Sequence, residues 1–149
     1  MPADAAARRA RQLRDHVETY VLPRASGLDA PLVVVLLGPT GAGKSTLFNS
    51  LAGRAVSRTG VLRPTTRQAV VLLHPADRPA LLDAGGALAG MAAADLAVIE
   101  DGSVGPGLVL VDAPDVDSIE HANRALADRL AEPADLGIFV TTAPRYADR

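Results

Sequence analysis

Leu32-Val33-Val34-Val35-Leu36-Leu37 is an unbroken apolar run with no position left for water. A strand with one wet face alternates; a strand covered on both faces reads as continuous Val, Ile and Leu. The run therefore predicts a central strand. Shorter apolar runs at Gln68 to His74, Leu96 to Ile99, Leu108 to Val111 and Leu136 to Thr141 predict further strands, with Asp101-Gly102 as a turn. Helical spacing appears between and before them. Leu13, Val17 and Val21 recur every four residues in an Ala- and Arg-rich stretch, predicting a helix from Ala3 to Leu22 that Pro23 stops. Ser45 to Ala52 reads as a helix ended by Gly53, and Ser118 to Leu130 as one capped by Asp117 or Ser118. Ser26 to Pro31 is a linker, Val56 to Arg67 a polar loop with Gly60 and Pro64, and Pro75 to Ala94 a weak helix plus loop without readable chemistry. Strands alternating with helices predict an α/β fold, mostly parallel, with helices flanking the sheet. We divide the chain into an N-terminal helix and linker, 1–28, and a single domain, 29–149.

Composition narrows this picture. Of 149 residues, 48% are hydrophobic but only 3% aromatic, so the core must be built from Ala, Val and Leu. The chain has no cysteine, which excludes disulfides and thiolate metal sites. A net charge of −2 argues against a general nucleic-acid surface, which needs clustered positive charge. No apolar run reaches the roughly 18–20 residues of a membrane span. The arginines at 8, 9, 11 and 14 are not followed by the apolar core of a signal peptide. The expected compartment is the cytoplasm, and membrane association would need sequence outside this chain.

The candidate chemistry follows the central strand directly. Gly38-Pro39-Thr40-Gly41-Ala42-Gly43-Lys44-Ser45 fits the phosphate-binding P-loop (Walker A) pattern, and strand, glycine loop and helix in succession are its confirming context. Lys44 is the only lysine; every other cationic side chain of the Lys/Arg type is arginine. A slim point charge reaches between two phosphates where a planar guanidinium fork does not. The motif makes Gly38, Thr40, Gly41, Ala42, Gly43, Lys44, Ser45 and Thr46 candidate nucleotide contacts, and Asp115, further along the chain, is another. Loop N–H groups point at the phosphates, and Lys44 bridges the β- and γ-phosphates as a candidate catalytic residue. Ser45 is a candidate Mg²⁺ ligand through its hydroxyl. Asp112, at the end of a Leu/Val strand, stands where a second metal-holding carboxylate belongs. Thr66, or its neighbour Thr65, lies in the loop before the second strand and is a candidate Mg²⁺ ligand, γ-phosphate sensor and catalytic residue. His16 reads as a helix-surface residue, His74 as the end of a strand, and His121 as lying early in the helix after Asp112.

These residues resemble a family. GPTGAGKSTLFNSLAG, from Gly38 to Gly53, is similar to the translation-factor-class GTPases of the Era-like and dynamin-like branches. Asn49 and Leu51 fit those G proteins better than transporter ATPases. Pro64-Thr65-Thr66-Arg67 looks like their switch I, and Asp112-Ala113-Pro114-Asp115 stands in the place of switch II. The resemblance covers about Asp29 to Thr142 and implies a GTP-binding protein that hydrolyses GTP to GDP with Mg²⁺, as a switch or in assembly. It implies a strand order in which the strand at 68–74 is outermost and that at 136–141 is an open apolar edge.

Three departures accompany it. Asp115 replaces the glycine whose N–H meets the γ-phosphate, so its carboxylate must point away or meet the metal. Val116 stands where many relatives carry a water-positioning Gln. The guanine-reading Asn/Thr-Lys-x-Asp motif is absent, and the chain is expected to be the front part of a G domain that continues past Arg149. Slow basal turnover is expected, raised by a second copy or an activating partner; Arg58, Arg63 and Arg67 are finger candidates by proximity alone. A non-hydrolysing nucleotide-binding scaffold is the alternative. An ABC-type ATPase is the weaker one, because no Leu-Ser-Gly-Gly-Gln-like signature occurs.

Overall fold

The computed structural model describes residues 2–22, 25, 27, 29–57, 68–117 and 121–142. Contacts divide the chain into two compact units, Met1–Ala30 and Pro31–Arg149. In the first, helix α1 (Pro2–His16) passes into a π-helical stretch over Val17–Val21. Its apolar residues Leu13, Val21 and Leu22 are exposed.

The second unit is a five-stranded sheet. Its strands are β1 (Leu32–Leu37), β2 (Ala69–Leu73), β3 (Leu96–Glu100), β4 (Leu108–Asp112) and β5 (Leu136–Phe139). The spatial order is β3-β2-β4-β1-β5, with only the β2–β4 pair antiparallel. The α/β class and the mostly parallel sheet are as the apolar runs predict. The order implied by the resemblance holds for β2-β4-β1-β5, but β2 is not outermost: β3 lies outside it and runs parallel to it. The connection between them carries a 3-10 turn (Pro75–Asp77) and helix α3 (Arg78–Leu82). His74 accepts the Ala76 N–H at 3.2 Å on Nδ1, so it caps this turn at the end of β2.

Period-two geometry sends alternate side chains of β1 to opposite faces, and both faces are covered. Val33 and Val35 join Val71, Leu73, Val109 and Val111 under Leu81 and the buried stripe of α4 (His121–Ala131), Leu126, Ala127 and Leu130. Val34 and Leu36 join Leu72 and Leu110 under Phe48 and Ala52 of α2 (Lys44–Ala52). This is why β1 carries no polar residue. β5 is tied to β1 by Asp135, whose carboxylate accepts the Val33 N–H at 2.8 Å while its own N–H reaches Val33 O at 2.9 Å. Leu136 and Phe139 of β5 are about half exposed, at 50% and 48%. The β3–β4 turn is held from several sides. Asp77 accepts the Gly107 N–H at 2.8 Å, and Arg54 pairs with Asp101. The Ser103 N–H, donated to Asp101, holds that carboxyl below its ordinary range, with Arg54 adding to the effect.

A candidate nucleotide and metal site at the sheet's carboxyl edge

Parallel β1 and β4 deliver their C-terminal ends to one edge, where open α/β sheets bind ligands. β1 ends in the glycine loop, and β4 ends in Asp112, in register with Leu36. Because β2 is antiparallel, its start also lies here: Val70 is the register partner of Asp112. Thr65 and Thr66, with Arg58, Arg63 and Arg67, fall outside the described residues.

The loop's shape depends on its first glycine. Gly38 has φ +147°, and a Cβ there would lie 2.1 Å from the Val140 carbonyl oxygen. The end of β5, held by the Val140 N–H on Leu37 O at 2.7 Å, thus packs on loop backbone that has no room for a side chain. Gly43, with φ +96° in the left-handed region, precedes α2 at its N-cap position. Helix α2 then begins at the loop, and a helix N-terminus suits an anion.

Lys44 and Ser45 are 2% and 4% exposed. The Lys44 ammonium has three donors and three close acceptors: Gly38 O at 2.9 Å, Pro39 O at 3.1 Å and Asp115 Oδ1 at 2.5 Å. Asp115 therefore neither points away nor leaves the loop to a ligand; it is drawn in by the one lysine. Asp117 sits beside it. Its Oδ1 accepts the Thr40 N–H at 2.7 Å and the Thr40 hydroxyl at 3.0 Å, while that hydroxyl also lies 2.9 Å from Asp115 Oδ2. Two carboxylates thus rest on P-loop groups, and Val116 N–H closes on Gly38 O at 3.3 Å.

Ser45 Oγ donates to Asp112 Oδ2 at 2.7 Å. A hydroxyl that donates its one proton keeps its lone pairs, so this bond leaves Ser45 able to ligate a cation. Asp112 is 6% exposed, and its Oδ1 has no hydrogen-bond partner among the described residues. A buried unsatisfied carboxylate oxygen is costly unless something positive reaches it. The donors fit Mg²⁺, which takes oxygen ligands and keeps several waters.

Three groups escaped the sequence. Ser57 Oγ also donates to Asp112 Oδ2, at 2.7 Å. Asn49 accepts the Val56 and Ser57 N–H groups at 2.8 and 2.7 Å and donates to Ser57 O at 2.8 Å. Asp117 holds Thr40, while residues 118–120, which bear on its expected role as a helix cap, lie outside the described residues. Asn49 had a signal, since it follows Ser45 by four residues on one helical face; Ser57 and Asp117 had none. The candidate residues Gly41 and Thr46 are exposed and Ala42 is half-buried, all on the loop and first turn. His121 begins α4 and is exposed.

A family model described as "50S ribosome-binding GTPase" matches residues 33–147. The chain belongs to this GTPase family. Within the family, the chain is 34% identical over 110 residues to the tRNA modification GTPase MnmE of Ruegeria pomeroyi. The match takes in 72% of this chain and 20% of that protein, so the chain spans about a fifth of that relative's length. Family membership makes this unit a P-loop GTPase domain.

Proposed function

We propose that the chain binds GTP with Mg²⁺ and hydrolyses it to GDP, as a switch or assembly GTPase of the Era-like and dynamin-like kind. The carrying observation is the Ser45–Asp112 pair, one residue from the loop lysine, with a buried Asp112 Oδ1 that has no partner among the described residues. In this reading Lys44 draws the β- and γ-phosphates into the loop, loop N–H groups and the α2 N-terminus fix their oxygens, and Ser45 and Asp112 hold the metal. Thr66 completes the metal and γ-phosphate contacts. Mg²⁺, when bound, neutralises charge that builds on the phosphates during transfer. The Asn49 and Leu51 pattern supports the branch. The relative's tRNA role is not carried over, since a net charge of −2 gives it no support. We also propose the domain division 1–28 and 29–149.

Titration calorimetry of GTP against ATP, with Mg²⁺ and with EDTA, tests this reading. Ser45→Ala should weaken GTP binding in Mg²⁺ and matter much less in EDTA. Equal loss in both conditions would remove Ser45 from the metal.

A second reading has an observation in its favour. Asp115 sits on the lysine that should hold phosphate, as a nucleotide-binding scaffold without hydrolysis would allow. Turnover against protein concentration separates the two. A slow basal rate that rises with concentration supports a GTPase completed by a second copy; a finger from a partner is worth about 10³–10⁵ in rate. Intact GTP binding with no turnover at any concentration favours the scaffold.

A further inference from the structure

Asp112 is gripped from two directions, by one serine that the P-loop motif names and by one that it does not. Ser45 reaches Oδ2 from α2, and Ser57 reaches the same oxygen from the chain beyond that helix, each at 2.7 Å. The second grip changes what the carboxylate can do. The terminal torsion of an aspartate is broad, so one hydrogen bond leaves the group free to pivot about it. Two donors from separate segments satisfy both lone pairs of Oδ2 and fix the carboxylate plane. The other oxygen, Oδ1, is then held buried with no partner among the described residues, so it stays available to a cation or its water.

Ser57 is itself built in. It is 7% exposed. Asn49 takes its N–H at 2.7 Å, gives to its C=O at 2.8 Å and takes the preceding Val56 N–H at 2.8 Å. One side chain of α2 thus clamps both backbone groups of Ser57, and the helix that carries Ser45 also sets where Ser57 points. Three hydrogen bonds on one short segment are more than a surface loop needs for its own satisfaction. Their effect is to place a hydroxyl proton on Asp112.

We propose that Ser57, set in place by Asn49, is a positioning residue for Mg²⁺: it fixes Asp112 so that Oδ1 faces the metal. The inference rests on the Mg²⁺–GTP reading of this edge. Ser57 acts through Asp112, and its hydroxyl proton is already committed there. Losing it should loosen the metal and leave the phosphate cradle of Lys44 and the loop N–H groups in place. Outer partners that orient metal-binding carboxylates typically carry about 10–100-fold of metal affinity.

The test titrates Mg²⁺ into the full chain held with a fluorescent, non-hydrolysable GTP analogue, and repeats the binding in EDTA. For Ser57→Ala the Mg²⁺ concentration giving half of the metal-dependent gain in affinity should rise about tenfold or more. Affinity in EDTA should shift far less. Ser57→Thr, which keeps the hydroxyl, should restore the parental midpoint. Thermal melting without nucleotide separates lost metal affinity from lost fold. An unchanged Mg²⁺ midpoint overturns the proposal, as does an equal loss with and without Mg²⁺, which would mark Ser57 as structural only. A parent chain that binds no nucleotide at any Mg²⁺ concentration removes the GTPase reading and this inference together; a parent that binds with Mg²⁺ beside an unaltered Ser57→Ala removes the inference alone.

Discussion

Replacing Lys44 by alanine should lower triphosphate affinity about ten- to a hundredfold or more, because a hydrogen bond to a charged group carries roughly 1.5–3 kcal/mol. The structure pushes the expectation to the upper end. Lys44 is 2% exposed and is the cation that faces Asp115 at 2.5 Å. Removing it takes away the phosphate's partner and also leaves the Asp115 carboxylate at the loop without that positive charge. An incoming polyphosphate would then meet a carboxylate that has lost its lysine. Lys44→Arg should not rescue binding well, since the guanidinium fork is wider than the ammonium and the carbonyls of Gly38 and Pro39 already fill its surroundings. Titration calorimetry with GTP is the measurement, with melting of the nucleotide-free chain as control. Equal affinity in variant and parent would sink the P-loop reading. The parent offers an independent check. Lys44 is its only lysine side chain, so bound nucleotide should protect that one amine from acylation, as read by mass spectrometry.

The parts of the site that could be read in advance were those written locally. β1, the glycine loop and α2 occupy one continuous stretch, and each part dictates the next: an apolar run, glycines for a loop that packs on Val140, and a helix start at Lys44. Asp112 was legible for the same reason, at the end of an apolar strand. The outer strand β3 was legible as a strand but not in its place, since nothing in Leu96 to Ile99 says which neighbour it will pair with. Ser57 lies 55 residues from Asp112 in sequence and Asp117 lies 77 from Thr40, and no periodicity reports such pairings. Asp115 is the instructive case. Beside a phosphate its carboxylate is repelled; beside Lys44 it is attracted, and only the folded chain shows which group it meets.

Replacing Asp115 by asparagine should therefore raise nucleotide affinity, about ten- to a hundredfold if the Lys44 contact has the usual strength of a charged hydrogen bond. All three Lys44 donors are engaged, and Asp115 is the one carboxylate among the three acceptors. A phosphate must displace that carboxylate before it can use the lysine, and apparent affinity falls by the fraction of molecules in the open form. Asparagine keeps the shape and removes the charge, so the closed form loses most of its advantage. Asp117→Asn should act in the same direction through Thr40, whose N–H and hydroxyl it engages. The sign of the Asp115 effect carries the argument. A carboxylate that reached the metal in the bound state would make Asp115→Asn weaken binding in Mg²⁺ and leave EDTA binding alone; a carboxylate that only guards the loop makes it strengthen binding in both. A double-mutant cycle with Lys44→Ala identifies the route, since contacting residues couple and independent ones add. If Asp115 acts through Lys44, its removal should give little gain in the Lys44→Ala background. A gain of equal size there would mean that Asp115 repels phosphate directly, and that the short ion pair with Lys44 does not hold the loop closed.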